Sequence, residues 1–238
     1  MKTLPNYISE KLIINKEYKG ADYFVYRADC EGKLKIFCNY WPQFDEYREK
    51  VYLKDKNIGI DSNGLTRAIF EPGEYTFEIK DIDDITSCER MFSDCKQLIN
   101  VPLFDTSKVY NMTCMFENCH NLEEVPLFDM SKVDTVVDMF WECYELKEIP
   151  PFNTSHISDM GDFFAQCTKI TRVPKFDTKN VKDMGGMFYQ CSLLEDVPLF
   201  DTKKVKDMHR MFEGCDSLNS KTIKEWSKKY DFKNNCKK

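Results

Sequence analysis

The chain has 238 residues, 42% of them hydrophobic, and a formal net charge of -6. That length admits one large domain or two small ones, and the apolar share is that of an ordinary globular chain. A mildly acidic chain exerts no general electrostatic pull on nucleic acid or anionic lipid, so neither is an expected partner. No stretch is long and apolar enough to span a bilayer, and Met1–Gly20 lacks the apolar core and small-residue cleavage site of a secretory leader. The expectation is a cytoplasmic or virion-associated protein without membrane insertion.

Residues 1–80 alternate polar and apolar positions in segments that predict short strands at 11–18, 23–28, 34–41, 51–54, 65–70 and 75–79. Gly20, Gly32, Asn63-Gly64 and Pro72-Gly73 mark the turns between them. The pattern predicts a small antiparallel, β-sandwich-like domain that also covers the start of the next region. Gly73–Ile79 resembles the last strand of a PKD-like β-sandwich, although the Trp-Gly-Asp-Gly signature of that module is absent.

From residue 81 to 218 the chain repeats with a period of 24 residues. Met91-Phe92 returns as Met115-Phe116, Met139-Phe140, Phe163-Phe164, Met187-Phe188 and Met211-Phe212. Cys95, Cys119, Cys143, Cys167, Cys191 and Cys215 keep the same step, as do Leu98, Leu122, Leu146, Ile170, Leu194 and Leu218. Five units share an element of the form Val101-Pro102-Leu103-Phe104-Asp105. Between Val109 and Cys119 the constant slots are spaced 3, 3, 1 and 3 apart, which predicts a short helix buried on one side. The slot ahead of it holds Ser87, Asn111, Thr135, Asp159, Asp183 and Asp207, all helix-capping types. The Leu-x-x-Val-Pro-x-Phe segment predicts a short strand beginning beside the proline, which has no N–H to give to a ladder. The expected fold is an α/β solenoid of leucine-rich-repeat type, with one short strand and one short helix in each of about six units, preceded by the β domain. A unit of this size cannot bury its apolar face alone, whereas stacked neighbours can.

The run Met-Phe-x-x-Cys-x-x-Leu-x-x-Val-Pro-x-Phe-Asp-Thr-Ser-x-Val-x-x-Met resembles the BspA-type leucine-rich repeat. That family occurs in bacterial surface proteins, mycoplasma proteins, some parasites and many phage-encoded proteins. The resemblance implies adhesion or protein binding without catalysis, and it supplies no fixed set of functional residues.

After the last unit, residues 219–238 predict a capping helix and a basic tail. Ile223, Trp226 and Tyr230 are expected on its buried face, which would close the open end of the stack. The ladder cysteines are expected to be buried, reduced thiols, with Cys30 and Cys38 as the one candidate bridge.

The residues offer no catalytic constellation. His120 follows a ladder cysteine, but the same slot in other units holds Tyr144, Thr168, Ser192 and Asp216, so it is expected to face solvent. No Cys-x-x-Cys zinc pattern, calcium loop or phosphate loop is present, so no metal and no cofactor is expected. The column Asp105, Asp129, Asn153, Asp177 and Asp201 is expected to form Asx turns.

In a stack, constant slots build the core and variable slots meet the partner. Trp141 and Tyr189, in the slot after Met-Phe, with Tyr144 three residues on, form one candidate patch for a protein partner. A second is the column Leu103, Leu127, Pro151, Lys175 and Leu199 beside the strand. The expected function is a non-enzymatic interaction or attachment module, as a phage virion component or a surface-type adhesin. The alternative is an intracellular regulatory binder of a host protein.

Overall fold

A computed structural model describes residues 7–8, 24–28, 32–53, 56–67, 69–79, 82 and 84–231. The N-terminal part follows the period-two logic of its sequence. Strand β2 (Phe24–Ala28) buries Phe24, Tyr26 and Ala28, while β6 (Gly73–Ile79) buries Tyr75, Phe77 and Ile79. The two pair antiparallel, from Phe24 opposite Phe77 to Ala28 opposite Gly73. With β3 (Val51–Leu53), β4 (Lys56–Asn57) and β7 (Leu98–Asn100) they form an antiparallel sheet of order β4-β3-β6-β2-β7. Strand β7 belongs to the first repeat, so one sheet joins the N-terminal part to the repeats. Separately, β1 (Tyr7–Ile8) pairs with β5 (Ile69–Phe70) in parallel, a departure from the all-antiparallel expectation.

The strand expected at 11–18 lies outside the described residues. The one expected at 34–41 does not form, because Ile36, Phe37 and Cys38 are all buried and a strand sends successive side chains to opposite faces. The segment bends instead, passes into helix α1 (Phe44–Tyr47) and donates the Cys38 N–H to Met91 O at 3.0 Å.

The repeats stack as parallel coils. Ser87, Asn111, Thr135, Asp159, Asp183 and Asp207 are bridged in succession, each to the next coil. Parallel bridges also join Asn100 to Glu124 and Arg172 to Asp196, so beyond β7 the expected strand is reduced to a single bridged residue in some units and is absent in the unit of Glu148.

The expected helix in each unit is overturned. Alternate N–H groups stay within a coil and reach back three residues, as Met91 to Cys88 O at 3.0 Å and Cys95 to Phe92 O at 3.0 Å. Those between them cross to the next coil, as Phe92 to Met115 O at 2.9 Å and Asp94 to Glu117 O at 2.8 Å. An α-helix would send every one of them back four residues. Two residues per coil hold positive φ, such as Arg90 at 58° and Asp94 at 60°. Each is the third residue of a hydrogen-bonded four-residue turn, where type II geometry requires it. The 3-3-1-3 spacing therefore reports a chain of turns with its apolar side inward. The capping slot does other work: Asn111 Oδ1 accepts the N–H of Thr113, two residues on, at 2.9 Å, which is an Asx turn. The Asp105 column forms the expected turns of the same kind, with Asp105 Oδ1 accepting from Ser107 N at 2.9 Å.

Side chains repeat the stacking. The rings of Phe92, Phe116, Phe140, Phe164, Phe188 and Phe212 lie near-parallel, with neighbouring centroids 5.5, 5.5, 5.6, 5.9 and 5.7 Å apart. Beside them the cysteine thiols donate to the phenylalanine carbonyl of the preceding coil, Cys143 to Phe116 O at 3.2 Å and Cys191 to Phe164 O at 3.0 Å. The described cysteines are free and buried, and burial pushes the Cys119, Cys143 and Cys191 thiols well above their ordinary pKa. They remain protonated donors in the core. Cys38 is a free thiol, and Cys30 lies outside the described residues.

Each end of the ring ladder closes on a tryptophan. At the N-terminal end, Phe37 packs on Phe92 at 5.6 Å and on Trp41 at 5.1 Å, and the Trp41 indole donates to Ser87 O at 2.9 Å. At the C-terminal end, helix α2 (Ser220–Trp226) starts at Asn219, whose side chain accepts from Thr222 N. It buries Trp226 against Phe200 and Phe212. Trp226 and Tyr230 are buried as expected, but Ile223 is 40% exposed. Thr222, four residues before Trp226 and so on the same helix face, takes the inward place.

Candidate functional site

Along the turn face, the six coils differ at two columns that are otherwise filled. The position of Glu89, Thr113, Val137 and His209 holds glycine at Gly161 and Gly185. The next column, Arg90, Cys114, Asp138, Asp162 and Arg210, holds glycine at Gly186. These missing side chains open a groove of about 580 Å³. Val137, Asp138 and Trp141 form one end of its lining, and Tyr189, His209 and Arg210 the other. Gly186 shares its positive φ of 59° with Arg90, Cys114, Asp138, Asp162 and Arg210 of the same column, and a Cβ there would stand 2.0 Å from Asp162 Oδ1, so that carboxylate occupies the space the glycine leaves.

The groove is acidic. Asp138, Asp159, Asp162, Asp183 and Asp207 line it. Asp159, Asp183 and Asp207 turn one oxygen to the backbone, accepting from Gly161, Gly185 and His209 N–H at 3.0, 2.7 and 2.7 Å. Among the described residues, none makes an ion pair with any of the five. Burial, and after it the neighbouring Asp162 carboxylate, push the Asp138 pKa up to about 6. Burial also raises Asp162 and Asp183. Like charges on stacked, half-buried carboxyls disfavour ionisation.

That pKa has a stability consequence. Between pH 4 and 6 folded Asp138 holds a proton that the unfolded chain, with an ordinary carboxyl near 3.9, has released. Stability therefore falls as pH rises through this window, and the cost is fully present at pH 7.5. Replacing Asp138 by Asn is expected to stabilise the protein at pH 7.5 by about 1 kcal/mol, solvent screening of a half-exposed group included. Paired urea titrations at pH 7.5 and pH 4 check this: the gain should vanish at the lower pH, and an equal gain at both would refute the charge origin.

The sequence candidates separate. Trp141 and Tyr189 stand two coils apart on opposite sides of the groove, roughly 10 Å at one strand spacing per coil. Tyr144 does not join them. It is not among the residues lining the groove, and its ring packs at a tilt against His120, centroids 4.8 Å apart. His120 Nε2 is buried and lies 3.5 Å from Glu142 Oε2, so that side chain does not simply face solvent. Leu103 and Leu127 are each 54% exposed and Leu199 39%, an apolar ridge on the other edge of the coils. Next to it Pro151 lines a second groove of about 500 Å³. Its Glu123 and Glu124 are already engaged by Arg27, Lys147 and Asn100. The glycines and aspartates of the first groove were missed because the capping reading absorbed Asp159, Asp183 and Asp207. Reading each column for side-chain volume would have found the gap.

These features define a repeat protein of stacked parallel coils with a sheet-bearing N-terminal cap. The chain belongs to the DUF285 family, described as a Mycoplasma protein of unknown function, whose model matches residues 76–172 and 144–236. No curated protein matches it. Among solved structures it is similar to a leucine-rich-repeat protein of T. pallidum, with 20% sequence identity and a TM-score of 0.43 over 63% of this chain and 80% of that one. No described helix is long and apolar enough to cross a membrane.

Proposed function

We propose that this protein is a non-enzymatic protein-interaction module, a solenoid of the BspA leucine-rich-repeat type that meets its partner through the groove on its turn face. The observation that carries this reading is the groove itself. In coils whose constant slots are all spent on the core, the variable slots there give up side chains and leave Trp141 and Tyr189 around an open space. Its volume lies in the range of sites that hold a small ligand or a few side chains of a partner, and aromatic anchors bury much area at little rotamer cost. A phage virion component or a surface-type adhesin is the setting that the repeat's resemblance favours. An intracellular binder of a host protein is the alternative.

Trp141→Ala is expected to weaken partner binding by about 2 kcal/mol or more while leaving the melting temperature unchanged. The check is a pull-down from host lysate or virion proteins, with wild type, Trp141→Ala and Tyr189→Ala side by side. Leu103→Lys and Leu127→Lys probe the apolar ridge. Loss of the captured protein in the Leu variants alone would move the interface to that edge.

A further inference from the structure

We infer that the groove at Gly161 and Gly185 is a receptor for an arginine side chain presented by the partner protein. This deepens the interaction reading and rests on it. Three independent features meet at this place. The first is space: two stacked glycines stand where sibling coils carry Thr113, Val137 and His209, so a side chain from outside can enter where the chain's own are missing. The second is charge: among the described residues the five carboxylates lining that space make no ion pair, Arg210 and Arg90 acting on Asp162 and Asp138 only from a distance, and a cation brought to them relieves their mutual repulsion. The third is a precedent in the groove wall. The Arg210 guanidinium lies 4.1 Å from the Tyr189 ring centroid and donates to Glu213 at 2.9 and 3.2 Å. At the other end Trp141 offers a larger aromatic face beside Asp138 and Asp162 with no such cation.

A guanidinium suits this lining better than an ammonium. It is planar, stacks on an aromatic face and forks its N–H donors onto carboxylate oxygens, whereas an ammonium is a strongly hydrated point charge. It is the charge in the groove that the partner complements, and a net acidic chain offers the same sign of field at longer range.

The chain reports on this site by itself. Of its tryptophans, Trp41 and Trp226 are buried at the two ends of the ring ladder and Trp141 is partly exposed in the groove. The full chain is titrated with the capped peptide Ac-Gly-Arg-Arg-Gly-amide at pH 7.5, following tryptophan fluorescence, beside the Lys-Lys and Glu-Glu peptides. A saturable change with the arginine peptide is expected, weakened by added salt, several-fold weaker with lysine and absent with glutamate. Gly185→Val plugs the space with the residue type of Val137, and Asp162→Asn removes charge without volume. Each should weaken binding tenfold or more, with circular dichroism and melting confirming that the variants are folded. Absence of a saturable response to the arginine peptide, an equal response to lysine, or full binding by both folded variants would overturn the assignment. If the peptides fail while Trp141→Ala still loses the partner in the pull-down, the arginine assignment falls and the interaction reading stands.

Discussion

Phe140→Ala is expected to cost about 3–5 kcal/mol of folding stability, the range for truncating a fully buried aromatic. Phe140 is 0% exposed and sits mid-ladder, with Phe116 at 5.5 Å and Phe164 at 5.6 Å on its two sides. Phe152 and Phe163 close the space around it. Coil-to-coil hydrogen bonds such as Phe140 N–H to Phe163 O at 3.1 Å hold the coil spacing, so the neighbours cannot collapse into the gap. The lost contacts are the dispersion and burial of a whole ring. Urea denaturation is the measurement, with Phe140→Leu as the size control expected to cost less than half as much. In a stack each coil contacts only its neighbours, so the variant is also expected to split the transition, the coils on either side of residue 140 losing cooperativity. A single unshifted transition would show that the ring ladder is not the stabilising element.

Trp226→Ala is expected to have an effect of similar size, about 3–5 kcal/mol, with a different consequence. Trp226 is 0% exposed, packs edge-on to Phe200 at 5.7 Å and Phe212 at 5.2 Å, and donates its indole N–H to Val197 O at 3.2 Å. It covers the last ring of the ladder, and Tyr230 lies against that same ring at 5.3 Å. Without it the last coil presents an apolar, open end, and such ends associate. Size-exclusion chromatography of the variant should show concentration-dependent oligomers where the wild type does not. Equal elution and an unchanged melting temperature would mean that the stack needs no cap. The Trp41 end offers an internal comparison, since its indole donates to Ser87 O in the corresponding way.

The two predictions touch parts of the molecule that were legible to different degrees. The ladder at Phe140 can be read from the 24-residue step alone, because a residue type that returns in register through unit after unit has to meet its copies. The cap at Trp226 was also legible, although its buried face was assigned wrongly at Ile223, where only a packed helix end selects Thr222 instead. The conformation of each unit was not legible. Turns whose third residue is left-handed and a short helix both bring Val109, Met112, Met115, Phe116 and Cys119 to one side, so apolar spacing cannot separate them. Side chains such as Asn111 and Asp159 suit an Asx turn as well as a helix cap.

The sequence by itself determined the repeat, its register, the buried slots and the membership of the cysteines in the core, since these depend only on which residues recur. The tertiary structure decided the backbone path, because half of the N–H groups in each turn segment bond to the next coil and their partners exist only once the coils are stacked. It also decided the site. Gly161, Gly185 and Gly186 are unremarkable along the chain, and Trp141 and Tyr189 stand 48 residues apart in it. Stacking at one strand spacing per coil brings those gaps and walls together and sets five carboxylates around one space, where burial first and the Asp162 carboxylate second raise the Asp138 pKa.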